Sequence, residues 1–212
     1  MSIGMILLVA IALLILFGVL QRVLDRMALT DRQALAIVAA IFIGGWLPDL
    51  NFGRVTLNIG GALIPLLVCI YLFFHAGTMV ERVRCLAASA ITAIAVYAVS
   101  LFFPADPTQM PFEPMWLYGI VGGIAAWILG RSRRGAFVAG VLGVLISDIA
   151  VGLVNWYNGI DQVMRLGTAG ALDAIVLSGV IAVALCELLG EMIERIVTGK
   201  VGQAAVEGGH RA

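Results

Sequence analysis

Long apolar runs separated by short polar gaps make up most of this chain. Seven runs approach the length of a membrane crossing: Ile3–Leu20, Ala34–Leu47, Asn58–His75, Cys85–Phe103, Met115–Gly130, Ala136–Trp156 and Thr168–Leu189. A helix needs about 20 mostly apolar residues to cross a hydrocarbon core about 30 Å thick. The second run is short, rising only about 21 Å at 1.5 Å per residue. It must tilt little, lie in a thinned bilayer or end inside protein. No stretch alternates polar and apolar with period two, which argues against a barrel. An open sheet against lipid would leave its amides unsatisfied. The pattern predicts an all-α polytopic membrane protein of about seven transmembrane helices.

The gaps give the orientation. Eleven of the 13 basic residues fall in every second gap or in the tail; only Arg54 and Arg165 fall elsewhere. The positive-inside rule then puts the N-terminus outside, the C-terminus in the cytoplasm, and cytoplasmic loops at Gln21–Gln33, Gly77–Arg84 and Arg131–Gly135. Composition agrees, with 62% hydrophobic and 12% charged residues and a mean hydropathy of +1.07. Such a chain takes lipid as its solvent, and the expected location is the cell (inner) membrane. The first run lacks a basic leader, and its Ala10–Ala12 pair lies inside the apolar stretch, so an uncleaved anchor is expected. Net charge is zero, which gives no electrostatic reason for nucleic-acid binding. The cluster from Arg131 to Arg134 reads as a topology anchor. Residues 1–196 are expected to form one transmembrane domain. The polar, Gly-rich residues 197–212 are expected to be a disordered cytoplasmic tail. Glu187, Glu191, Glu194 and Arg195 recur at helical spacing, so the last span should run on past the membrane.

A weak internal echo occurs at an offset of 109. Gly61-Ala62-Leu63 matches Gly170-Ala171-Leu172, Arg22 aligns with Arg131, and the first three spans overlie the last three. A parallel 3+1+3 repeat would make the interface between its halves the natural substrate path. The 25 glycines mostly serve close helix packing. Gly60, Gly61 and Pro65 together are able to break the outer half of the third span and free carbonyls there.

Two carboxylates lie in apolar sequence, Asp148 and Asp173. A charge at the bilayer centre costs about 2.5–3.5 kcal/mol even on lenient scales, so such residues are functional candidates. Counting 1.5 Å per residue puts Asp148 about 16 Å along its outward span and Asp173 about 8 Å below the outer surface. Their heights overlap, and two neighbouring carboxylates share a proton. Asn58, Ser147, Asn155, Thr168 and Pro65 fall in the same outer half. The alternative for Asp173 is a helix cap. Cys69, Cys85 and Cys186 read as small core hydrophobes. His75 and His210 have no ligand-spaced neighbours, so neither a metal nor another cofactor is expected.

Three segments carry a resemblance: Leu57-Asn-Ile-Gly-Gly-Ala-Leu-Ile-Pro-Leu66, Gly143-Val-Leu-Ile-Ser-Asp-Ile149, and Gly167-Thr-Ala-Gly-Ala-Leu-Asp-Ala-Ile-Val-Leu-Ser-Gly179. The chain from about Ala34 to Leu189 resembles a bacterial and archaeal membrane family known as domain of unknown function 1614. It departs from that family's second glycine pattern at Ala171-Leu172-Asp173-Ala174. The resemblance implies a multi-pass membrane protein and no particular activity.

The expected function is a small permease or channel-like protein for protons, cations or a small solute. Asp148, Asp173, Asn58, Gly60, Gly61 and Pro65 form its pathway. Seven short spans enclose little volume, so the partners expected are the lipid bilayer and further copies of the chain. A scaffold without transport is one rival. An intramembrane aspartyl protease is another, although Gly-x-Gly-Asp is absent before Asp173 and no Pro-Ala-Leu follows it.

Overall fold

The computed structural model describes residues 24–25, 27, 29–103, 114–130, 132–170 and 173–190. The first expected span, Ile3–Leu20, the helical continuation over residues 191–196 and the tail 197–212 lie outside the described residues.

The described chain is mostly helical. Helix α1 is Asp31–Gly44. It begins three residues before the expected run because Thr30 and Gln33 form a capping box, each side chain accepting from the other's backbone N–H. A two-stranded hairpin follows, β1 Leu50–Phe52 and β2 Val55–Leu57. Its two-residue loop opens on Gly53, at φ 65°, a conformation that glycine adopts without strain. The chain then enters a π-helical turn, Ile59–Leu63, continuous with α2, Ile64–Phe74. Pro65 explains this start: it has no N–H, and its ring clashes with the carbonyl four residues back, which widens the turn.

Helix α3, Met79–Phe102, is capped by Thr78, so the expected loop Gly77–Arg84 is mostly its first two turns. Helix α4 is Pro114–Gly130. Helix α5, Arg133–Tyr157, starts from a Ser132 cap, so the loop expected at Arg131–Gly135 is largely helix as well. Strand β3, Met164–Leu166, precedes helix α6, Ala174–Gly190. Expected span seven thus begins six residues late: Thr168 lies in a turn rather than in the helix.

The expectation of an all-α chain needs correction. Strands β1, β2 and β3 form one small sheet, with β2 antiparallel to β1 and parallel to β3. In the parallel pair Val55 lies opposite Met164, Thr56 opposite Arg165 and Leu57 opposite Leu166. Three-residue strands are too short to leave a period-two signal.

One cluster of buried apolar side chains runs from Leu24 to Ile175, joining α1, α2, α3, α5 and the sheet. The start of helix α6 is enclosed: Ala174 through Gly179 are all buried. Helices α3 and α5 are long and apolar enough to cross a membrane.

Candidate functional site

Asp148 and Asp173 do come together. Asp148 projects from α5 and is half-buried, and Asp173 is buried at the mouth of α6. Their carboxylates act on each other electrostatically, and that of Asp148 also acts on the Tyr118 hydroxyl of α4. Packing fixes the heights. A Cβ added to Gly140 would sit 3.0 Å from Ser178 Oγ, so Gly140 and Ser178 are level. From there Asp173 is five residues up α6 and Asp148 eight residues up α5, about 7.5 and 12 Å. Among the described residues neither carboxylate has an ion-pair partner. Asp173 is also the cap of α6, since Oδ1 accepts from Ile175 N–H at 3.1 Å and Oδ2 from Ala169 N–H at 3.3 Å. It holds α6 in place and also acts electrostatically on Asp148.

The other candidates gather at a crossing of three chain segments, joined to Asp173 by the loop after β3. Asn58 is buried; Oδ1 accepts from Gly61 N–H at 2.8 Å and Nδ2 donates to Asp49 Oδ1 at 2.7 Å. Its own N–H donates to Leu166 O at 2.9 Å. A Cβ on Gly60 would meet Ile41 O and Gly45 N at 2.3 Å, and one on Gly61 would meet Gly167 O at 2.0 Å. Only glycine allows the end of α1, the π turn and the loop after β3 to touch backbone to backbone. Pro65 is fully buried. Gly60, Gly61 and Pro65 therefore fill space, and Asn58 ties the crossing together.

Sequence reasoning missed Asp49, Gly167, Tyr118, Thr92 and Ser178. Asp49 stood in a polar gap with nothing to mark it as the partner of Asn58. Gly167, at φ 74°, faces Gly61 across the crossing. Thr92 and Ser178 are buried, and neither hydroxyl has a hydrogen-bond partner among the described residues. Polar residues inside apolar runs were the available signal, but only the carboxylates stood out.

The opposite end of the bundle is held by charged groups. Arg133 Nε pairs with Glu187, both side chains being mostly buried. Arg134 donates to His75 O and Arg82 Nη2 to Phe74 O at 3.2 Å, closing the C-terminus of α2. Ser132 Oγ donates to Glu81 at 3.1 Å. The far end instead carries the sheet and an exposed Arg54–Asp161 pair at 3.3 Å. The residues expected in cytoplasmic gaps thus meet at one end and Arg54 lies at the other. An apolar groove of about 450 Å³ runs between α1 and α2, lined by Ile37, Ala40, Leu67 and Tyr71, away from both carboxylates.

Helices α3 and α4 bury mostly small side chains and expose many of their large ones. In α4, Gly119, Gly122, Gly123 and Ala126 are buried, whereas Ile120, Ile124 and Ile128 are exposed. In α3, Ala88, Ser89, Thr92 and Ala93 face inward, and Leu86, Ile91 and Ile94 outward. A water-soluble bundle buries its large apolar side chains. The reverse order, with glycine and alanine at the contacts, is how helices pack in lipid. The class defined here is a mostly helical protein with two helices long and apolar enough to cross a membrane, and with two acidic side chains in electrostatic contact between its helices. The chain belongs to the family described as protein of unknown function (DUF1614), whose model matches residues 49–185. That range holds the Asn58 crossing, Asp148 and Asp173. Nothing matched the chain among the curated proteins or the solved structures.

Proposed function

We propose that the chain is a multi-pass protein of the cell membrane, N-terminus outside, that passes protons, cations or a small solute by way of Asp148 and Asp173. The observation that carries this reading is the electrostatic contact of two carboxylates, Asp148 on α5 and Asp173 at the start of α6, with no ion-pair partner among the described residues. Such groups are expensive in lipid and mark ion or proton routes. The exposed isoleucines of α4 and leucines of α3 support a lipid-facing surface. The sheet has an unpaired edge at β1, which suits the polar interface and not the hydrocarbon. The β2–β3 register matches the sequence echo: partners such as Val55 and Met164 are 109 apart, as a duplicated unit would place them.

The test is flux. Purified protein in liposomes should admit a proton, an alkali cation or a small solute, and Asp148→Asn should abolish that entry. Wild-type liposomes no leakier than empty ones to the whole panel would sink the reading. One observation favours a scaffold without transport: Gly60, Gly61 and Pro65 are packed solid and Asp173 is engaged as a cap. That reading gains if Asp148→Asn changes neither flux nor stability.

A further inference from the structure

We infer that the species carried is the proton, and that it moves through the α5–α6 interface with the Ser178 hydroxyl as its middle station. The inference rests on the proposed role of Asp148 and Asp173 and adds a substrate and a route. Along α6 the polar groups on this interface are Asp173, Ser178 and Glu187; α5 supplies Asp148 at one end and Arg133 at the other. A carboxylate pair, a hydroxyl and an ion pair therefore lie in sequence across the bundle.

Ser178 is fully buried and its Oγ has no partner among the described residues. Ser89 makes the ordinary arrangement of a helical serine, donating to the carbonyl one turn back, Cys85 O, at 2.8 Å. A buried hydroxyl left without a partner destabilises the fold. The hydroxyl packs directly against two residues that lack side chains: a Cβ on Gly122 would lie 2.6 Å from Ser178 Oγ, and one on Gly140 3.0 Å. The protein thus holds a costly hydroxyl between two glycines, at a height between the carboxylates and the Arg133–Glu187 pair.

The packing selects the cargo. A metal cation must exchange its water shell for several oxygens at once. The glycine contacts around Ser178 leave no space for such a shell. No cluster of three metal-binding side chains occurs among the described residues. A proton needs only a file of oxygens. It passes through water from the Asp148–Asp173 pair to Ser178 Oγ. Ser178 releases its own hydroxyl proton on the far side, and rotation about its C–O bond resets it. Only O–H bonds form and break, and no electrons are exchanged. Beyond Ser178 the way narrows to a layer of Ala88, Ala126, Ala136, Ala139 and Ala182. Water must wet that layer for the proton to reach Glu187.

The experiment uses the full chain in phosphatidylcholine–phosphatidylglycerol liposomes holding a pH-sensitive dye, under a potassium diffusion potential set with valinomycin. Wild type should acidify the lumen, and Ser178→Ala should slow acidification by at least about tenfold, the scale of a positioned proton-transfer group. Thermal unfolding should meanwhile show Ser178→Ala as stable as wild type or more so, because the variant removes an unpaired polar group. Ser178→Cys, which keeps a dissociable proton, should retain part of the flux. Proton entry lowered by Asp148→Asn but untouched by Ser178→Ala would overturn the route and leave the conduction reading intact. Entry of tracer sodium faster than protons would overturn the choice of cargo only. Entry of no ion or solute at all would overturn both.

Discussion

Asn58→Asp is the sharpest perturbation of the crossing that holds α1, α2 and β3 together. In the native protein Asn58 Nδ2 donates to Asp49 Oδ1 at 2.7 Å and Oδ1 accepts from Gly61 N–H at 2.8 Å. Aspartate keeps the second bond and turns the first into two facing carboxylates. At about 3 Å two like charges repel by about 1.4 kcal/mol at a dielectric of 80 and about 5.5 kcal/mol at 20. Asn58 is buried and Asp49 half-buried, so the cost belongs between these limits. A chain of this length loses about 2–4 °C of Tm per kcal/mol, and the variant should melt about 5–15 °C below wild type at neutral pH. The sign with pH follows from the charge. As pH falls through the carboxylate range, one of the two acids is protonated and donates to the other, restoring the lost bond. The deficit should therefore shrink in acid and be full at neutral pH. Asp49→Asn in the same chain exchanges donor and acceptor and should recover most of the loss. Thermal unfolding in detergent across pH checks this. A deficit that ignores both pH and Asp49→Asn would refute the pairing.

Further consequences follow from the same contacts. Gly61→Ala and Gly167→Ala both wedge a methyl into one backbone crossing, so each should lower folded yield severely and the double variant should be far from additive. Asp173→Ala removes the α6 cap and should cost about 0.5–2 kcal/mol, while Asp173→Asn, which keeps Oδ1 as an acceptor, should unfold close to wild type. Glu187→Gln leaves Arg133 without its charge partner in a mostly buried site and should cost about 3 kcal/mol, whereas Arg133→Met with Glu187→Leu should recover much of it; equal loss in single and double variants would argue against the pair. In a cysteine-free background, Gln162→Cys should react with an impermeant thiol reagent on intact cells and Arg84→Cys should not; the opposite pattern would reverse the orientation.

The helices were readable because each is a long apolar run with a local stop or start signal. Thr30 with Gln33, Thr78 and Ser132 set starts that the apolar boundaries alone misplace by three to six residues. The break in the third span was readable from Gly60, Gly61 and Pro65, whose chemistry is local. The sheet was not, since its strands are short and β3 meets β2 only through the tertiary fold. The Asp148–Asp173 pairing followed from depth counting, which works where antiparallel neighbours share one rise per residue. The partners of Asn58 did not follow, because Asp49 sits nine residues away in a polar gap that hydropathy treats as loop. Ser178 was hidden for a different reason. A serine in an apolar helix is ordinary, and its lack of a partner appears only when Gly122 and Gly140 are packed against it.

The 109-residue register between β2 and β3 gives a reason why the carboxylates lie where they do. If the chain is a parallel duplication, an axis running between β2 and β3 exchanges α1 with α5 and α2 with α6. The positions matching Asp148 and Asp173 are then Ala39 and Ile64, and the position matching Ser178 is Cys69. The first half keeps the scaffold, with its helix, strand, glycine contact and helix, and carries apolar groups or a thiol where the second half carries acids and a hydroxyl. The acids and the hydroxyl would then lie in the second half alone. The requirement for glycine differs in the same way. In the first half it serves the backbone crossing at Gly60 and Gly61, a matter of stability. In the second, Gly122 and Gly140 make room for one unpaired hydroxyl, which stability alone would not favour.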